Sequence, residues 1–233
     1  MISIIIPIYN QADKLIATLN SINIQTYRDL EVIIVNDGSH DDPEHAFTKF
    51  LDESKSDLTF YFFNQDNAGA PAARNRGFKE AKGDFLFFCD ADATLEPQAL
   101  EILFNTLIEN KEASYAFSAF KWGKKTFAVG DFNIEKLKRE PYIHTMALIR
   151  REAYPATGWD ESIKKFQDWD LWLTMLENGK TGVFVNYILF NVSPGGTISS
   201  WLPSFAYKLM PFLPAVKKYK TAMAIIKAKH NLV

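Results

Sequence analysis

Two carboxylates stand two residues apart in FFCDADATLEP, residues 87–97, immediately after the apolar run Phe85 to Cys89. Like charges repel and a carboxylate is costly to desolvate, so such a pair needs something positive to share. A hard divalent cation with oxygen ligands meets that need. Two protein carboxylates would leave its ligand set incomplete, and phosphate oxygens of a bound nucleotide would supply the remainder. Asp90 and Asp92 therefore read either as part of a metal-dependent diphosphate site or as turn residues satisfying nearby backbone groups. Tyr9 and Asn10, Asn36 to Ser39, and Asn64 to Gly69 are likewise polar clusters that directly follow apolar runs. Gly38 permits a turn with positive φ, and Asp37 is suited to accept from a nucleobase, from ribose hydroxyls or within an Asx turn. In NAGAPAARNRG, Arg74 falls inside the helix after Gly69. There its guanidinium would contact phosphate, hold a neighbouring carboxylate or lie in solvent.

The elements that must position these residues follow from hydrophobic period. ISIIIPIY (2–9), LEVIIVND (30–37), LTFYFFN (58–64) and DFLFFCD (84–90) are continuous apolar runs, as strands buried on both faces are. Between them, Ala12, Leu15, Ile16, Leu19 and Ile22 form a helical stripe, and Phe47, Phe50 and Leu51 form another, with Asp41 or Asp42 placed to cap before Pro43. A third helix is expected over 70–81, and a fourth through Leu100, Leu103, Phe104, Leu107 and Ile108. This alternation predicts an α/β fold, a mostly parallel central sheet with helices on both faces. Ligands of such sheets sit at the carboxyl ends of the strands, where all four polar clusters converge.

Beyond residue 112 the alternation weakens. Strands are expected at 113–120, 143–149 and 181–192, separated by a charged connection at 121–142 and a helix at 168–178 that Gly179 stops. Trp169, Trp172, Leu173 and Leu176 share a face of that helix. At such spacing the tryptophans belong to the core, or with Trp159 offer a platform to a sugar ring. The simplest partition is one domain over 1–200, with a nucleotide-binding half at 1–110, an acceptor-side half at 111–200, and a basic tail at 201–233.

Composition narrows the function. The chain has 233 residues, 47% of them hydrophobic, and a net charge of -2, which gives no general attraction to nucleic acid. Cys89 is the sole cysteine, so no intrachain disulfide forms and a reducing compartment is expected. The opening MISIIIPIYN has no basic leader region and reads as a strand, and no run reaches the length of a spanning helix. The chain has no G-x-G-x-x-G after its first strand, no P-loop, no H-E-x-x-H and no G-x-S-x-G. The four histidines (40, 45, 144 and 230) are scattered in sequence, giving zinc hydrolysis no support.

Taken in order, these segments resemble the inverting family 2 glycosyltransferases of the GT-A fold, of the bacterial cell-envelope polysaccharide type. SIIIPIYNQ (3–11), IIVNDGS (33–39), NAGAPAARN (67–75), GDFLFFCDAD (83–92) and WDESIKKFQDWDLWLTML (159–176) are similar to its successive signatures, and the likeness runs from residue 2 to about 199. The resemblance implies a nucleotide-diphospho-sugar donor, with a UDP-sugar expected, and Mn²⁺ or Mg²⁺. It places Asp37 on the nucleobase, Asp90 in the ribose or metal environment and Asp92 on the metal, with Pro7, Tyr9, Asn10, Asn67, Gly69 and Arg74 also on the donor side. It assigns the base to Asp168 in FQDWD, where Gln167 replaces the acid that usually precedes it, with Asp170 and Asp160 as rivals. A helix N-terminus lowers the pKa of such a base unless burial or Asp170 opposes it. The implied chemistry is a single displacement, with one carboxylate taking the proton of an attacking hydroxyl and a cation neutralising the leaving diphosphate.

Two departures qualify the likeness. Ser193 in NVSPGG stands where many members have a histidine, and the Q-x-x-R-W of processive synthases is absent, which favours adding one sugar at a time. The alternatives are a nucleotidylyltransferase and a silent nucleotide-sugar-binding module. Within the tail, Val216, Tyr219, Ala222, Met223 and Ile226 share an arc bordered by lysines, suited to a membrane surface or to the protein's own surface. The implied acceptor is a glycan or a polyprenyl-diphosphate-linked saccharide. The implied location is cytoplasmic, peripheral on the inner face of the plasma membrane through 215–230.

Overall fold

The computed structural model describes residues 1–194 and 212–232; the start of the basic tail, 201–211, lies outside them. Its centre is a nine-stranded sheet. The strands are β1 (Ile2–Ile8), β2 (Leu30–Asp37), β3 (Thr59–Gln65), β4 (Phe85–Phe88), β5 (Ala93–Leu95), β6 (Tyr115–Trp122), β7 (Lys125–Phe127), β8 (Leu148–Arg150) and β9 (Gly182–Val192). The order is β3-β2-β1-β4-β8-β6-β9-β5, with β7 paired to β6. β1 to β4 run parallel, as do β6 and β9; β8 is antiparallel to β4 and β6, and β5 to β9. The sheet is thus parallel where the first four polar clusters end and mixed beyond β4.

Successive side chains of a strand point to opposite faces, and each face of the central strands is apolar. Ile4, Ile6, Val32, Ile34 and Phe87 join the core beneath helices α1 (Ala12–Asn23), α2 (Pro43–Ser54) and α4 (Ala99–Glu109). Ile5, Ile33, Val35, Leu86 and Phe88 join the core beneath α3 (Ala70–Glu80) and α6 (Gln167–Glu177). Each such side chain contributes about 1.5–3 kcal/mol on burial, which locks the strand register and hence the position of every strand end. The helical stripes are buried as the period requires, except that Leu51 and Ile108 face outward at 42% and 46% exposure.

Asp42 caps α2, accepting from the His45 N–H at 3.1 Å. Asp41 reaches instead to the first turn of α1, accepting from the Ala12 N–H at 2.8 Å. The segment 121–142 is more than a connection. Gly123, at φ 55°, turns β6 into β7, and the Asn133 side chain caps a short α5 (Ile134–Arg139). The strand expected at 143–149 shrinks to β8, because residues before Leu148 turn locally, with the His144 ring accepting from the Met146 N–H. β5 is three residues long, too short to show a period. Among the described residues no helix is long and apolar enough to cross a membrane.

α3 approaches the sheet at Gly77, where a Cβ would stand 2.4 Å from Cγ2 of Ile5. Gly77→Ala is expected to lower stability by about 1–3 kcal/mol through overpacking, read as a lower urea midpoint. An unchanged midpoint would contradict the seating of α3 on β1.

Candidate active site

The carboxyl ends of β1, β2 and β4 open into a cleft of about 940 Å³, closed on its far side by α6 and by the last described helix, α7 (Pro214–Lys229). Pro7, Tyr9, Asp37, Arg74, Asp90, Asp92 and Asp168 all line it.

Asp37 is 2% exposed and accepts three hydrogen bonds: from the Ala68 N–H (2.9 Å), the Gly69 N–H (2.8 Å) and the Gln65 side chain (2.8 Å). The Asn67 amide donates to its carbonyl at 2.9 Å. Asp37 therefore organises the loop entering α3 as well as lining the cleft. That loop depends on glycine at φ 95° in Gly69. Asn10 ties the first two strand ends together: its side chain accepts from the His40 N–H (2.9 Å) and its N–H donates to the Ser39 hydroxyl (3.0 Å).

Arg74 is buried and spans the two halves of the chain. Its Nη2 donates to Asp90 at 3.2 Å, its Nη1 donates to Gln167 at 3.1 Å, and its guanidinium stacks 4.6 Å over the Trp159 ring. Of the roles open to it in sequence, holding a carboxylate is the one this geometry displays. Gln167, standing where an acid is usual, gives the guanidinium a neutral acceptor and leaves Asp90 as its one ionic partner among the described residues.

Asp92 is 7% exposed, with the Gln11 amide at 3.4 Å and the Lys14 ammonium at 3.9 Å from one oxygen. Burial and then the Asp90 carboxylate push its pKa up to about 6, against the pull of Lys14 and Gln11. Its backbone carbonyl accepts from the Ser193 N–H at 2.9 Å, so Ser193 sits beside the pair. A buried carboxylate destabilised by a second one is short of positive charge, and the hard oxygen donor set suits a divalent cation. Among the described residues no group of three or more His, Cys, Asp or Glu is arranged to hold a metal, so a cation here would take further ligands from elsewhere.

Asp168 is the second residue of α6, with one oxygen accepting from the Trp169 N–H at 2.9 Å. Desolvation raises its pKa above the usual carboxylate value, outweighing His144, the Trp169 N–H and Arg74, while Asp90 adds to the rise. Burial thus overrides the helix N-terminus. Phe166, the residue capping α6, holds φ 61°, a strained conformation for a bulky side chain, fixed by edge contacts with Trp169 and Tyr219. The rival carboxylates are otherwise engaged. Lys229 donates to Asp160 (2.7 Å) and to Asp170 (2.9 Å), and hydrogen bonds from Lys229 and Ser162 hold Asp160 at about 2. Trp159, Trp169 and Trp172 are at most 2% exposed and belong to the core.

His144 is the residue the sequence does not reveal. Nδ1 accepts from the Met146 N–H at 3.2 Å, leaving Nε2 to carry the proton and face Asp90 at 3.8 Å. Burial lowers its pKa despite Asp90 and Asp168, so the ring is neutral near pH 7. Its only signal is a polar residue in the apolar stretch before β8. Helix α7 was legible as amphipathic, and its arc packs on the protein itself: Tyr219 meets Phe166, while Met223 and Ile226 enter the core beside α6.

The chain matches the family Glycosyl transferase family 2 over residues 3–157. It is 31% identical over 192 residues to an uncharacterized glycosyltransferase of Rickettsia typhi, covering 76% of this chain and 58% of that protein. It is 36% identical over 108 residues to glycosyltransferase GlyA of Streptococcus pneumoniae, covering 46% of this chain and 15% of that protein. The chain thus spans little more than half, or less, of these relatives' own lengths. Among solved structures, S. aureus TarS 1-349 in complex with UDP superposes with a TM-score of 0.69 at 18% identity, covering 82% of this chain and 60% of that one. The mannosyltransferase PcManGT of Pyrobaculum calidifontis, in complex with GDP-Man and Mn²⁺, gives 0.68 at 16% identity, covering 99% and 69%. At such identities these likenesses establish the fold.

α7 is fastened by a second buried polar group. His230, with a 2% exposed side chain, lies 2.9 Å from both Asp170 and Glu177. Burial alone would lower its pKa, but the two carboxylates outweigh it and the pKa is raised. A raised folded pKa contributes stability below the unfolded value of about 6.5 and loses it as pH climbs through the folded value. His230→Ala is therefore expected to cost about 3 kcal/mol at pH 6, with a smaller loss at pH 9, in urea melts of both proteins. A loss independent of pH would contradict a protonated His230.

Proposed function

The chain belongs to glycosyl transferase family 2, and we propose that it is an inverting, non-processive glycosyltransferase that moves one sugar from a nucleotide-diphospho-sugar to a hydroxyl of a glycan or lipid-linked acceptor. The observation carrying this reading is Asp168, a carboxylate of raised pKa at a helix N-terminus, facing the same cleft as Asp90 and Asp92. A carboxylate whose pKa is raised by desolvation binds a proton more firmly than an ordinary one.

In this reading Asp37 and the loop Asn67 to Gly69 shape the nucleoside end, with Pro7, Tyr9 and Asn10 beside it. Asp92, with Asp90 adjacent, would hold Mn²⁺ or Mg²⁺, which when bound neutralises charge developing on the leaving diphosphate. Arg74 fixes the Asp90 carboxylate and, through Gln167, the first turn of α6. Asp168 accepts the proton of the acceptor hydroxyl as its oxygen bonds to the anomeric carbon and the bond to the diphosphate oxygen breaks on the opposite face. One displacement inverts the centre and needs no enzyme nucleophile. UDP as the donor nucleotide is in keeping with the TarS complex, and Mn²⁺ with the mannosyltransferase complex. The location corresponding to this reading is cytoplasmic, at the inner face of the plasma membrane.

Asp168→Asn is expected to reduce UDP release from a turned-over UDP-sugar by about 100-fold or more while the melting-point shift given by UDP with Mn²⁺ persists. Asp92→Asn is expected to abolish the Mn²⁺-dependent part of that shift. Full turnover in Asp168→Asn would remove the base assignment. A wild-type melting point unmoved by UDP-, GDP-, CMP- and dTDP-sugars, with and without Mn²⁺, would remove the donor site.

A further inference from the structure

Asp37, Asp90 and Asp92 line the cleft at the strand ends, and the exposed Lys164, Lys165 and Lys218 line its mouth on the side of α6 and α7. These lysines come from two separate segments, the loop entering α6 and the first turns of α7, and both segments are held in place. The Phe166–Tyr219 contact joins them, and Lys229 and His230 bind α7 to Asp160, Asp170 and Glu177.

Lys164 donates to the Glu161 carbonyl at 3.4 Å, and among the described residues neither Lys165 nor Lys218 has an ion-pair partner. The remaining acidic residue of the lining, Glu140, lies 3.6 Å from Arg139. After Glu177 the chain contains no Asp or Glu, so residues 195–211 bring no carboxylate side chain to this mouth whatever their course. Unpaired lysines converging from two elements on one cleft raise the local concentration of an anion and bind it with charge-assisted hydrogen bonds.

We infer that the lysines at this mouth bind a phosphate group carried by the acceptor, next to the sugar whose hydroxyl reaches Asp168. This rests on the proposed transferase reading, because it is Asp168 that defines where the acceptor hydroxyl lies. In that reading the donor's diphosphate belongs with Asp90 and Asp92 and their cation. The acceptor's own charge is then what meets Lys165 and Lys218. A phosphate joining saccharide to lipid and a phosphodiester within a glycan present the same chemistry here.

The test uses the full chain with UDP and Mn²⁺ saturating, so that the diphosphate position is filled. Isothermal titration with glucosyl methyl phosphate, glucosyl decyl phosphate and methyl glucoside then compares the wild type with Lys165→Gln/Lys218→Gln. The inference expects a glucosyl phosphate to bind the wild type, to weaken about tenfold or more in the variant, and to recover in Lys165→Arg/Lys218→Arg. Methyl glucoside is expected to be indifferent to the substitutions. Tighter binding of the decyl than of the methyl compound assigns the phosphate to a lipid link, and equal binding to a glycan phosphodiester; both support the site. Phosphate binding unchanged in the glutamine variant overturns the inference. So does an equal loss of UDP affinity, which would give these lysines to the donor. Failure of UDP with Mn²⁺ to bind the wild type at all would instead overturn the transferase reading itself.

Discussion

The Arg74 guanidinium is the one contact on which the site's geometry turns. It issues from α3, in the first half of the chain, and its two amino groups divide between Asp90, beyond β4, and Gln167, at the start of α6. Its planar fork fits two acceptors at once, and the stack on Trp159 removes the freedom a lysine would keep at the same place. Its neighbour Asn75 adds to that span, exchanging hydrogen bonds with the Trp159 backbone and donating to Glu161 ahead of α6. With it, the carboxylates of the first half and Asp168 of the second are held about one cleft.

Collecting Asp37, Asp90, Asp92 and Asp168 in one place has an electrostatic cost, and each is accommodated differently. Asp37 is saturated by backbone and amide donors, and Asp90 shares Arg74. Asp92 has only distant help from Lys14 and Gln11, and Asp168 is opposed by desolvation. These two least satisfied groups are the ones to which the proposed reading gives the cation and the transferred proton. That matches a general pattern in which perturbed carboxylates mark the positions where chemistry needs charge to change. His144 belongs to the same balance as a neutral donor facing Asp90, adding a polar contact without adding charge.

Much of this was legible in the chain because it is local. The apolar runs at 2–9, 30–37 and 84–90 fix three adjacent parallel strands, and the polar residues directly after each must lie at one sheet edge. The strand-end residues Tyr9, Asp37 and Asp92 were thus placed by topology alone. What depended on tertiary contact was not legible. His144 reaches Asp90 because the backbone before β8 turns instead of extending, and no periodicity records that. Asp41 and Asp42 look equivalent as caps, and only packing sends one to α1 and the other to α2. The arc of α7 fits a membrane or a protein equally well by pattern, and only tertiary structure shows Val216 and Ile226 buried against the protein. β5 and α5 were missed because three and six residues are too few to establish a period.

In the proposed reading, acidic groups from separate chain segments, one of them held by Arg74, would enclose a place for a cation and the diphosphate of an activated sugar. The most direct measurement is a crystal of the protein with UDP and Mn²⁺, with data collected to locate manganese by its anomalous scattering. The predicted result is one peak within about 2.0–2.6 Å of an Asp92 carboxylate oxygen, bridged to the UDP diphosphate and in the cleft that Asp168 faces. Nucleotide bound with Asp92 carrying no metal, or manganese bound away from this cleft, would contradict it.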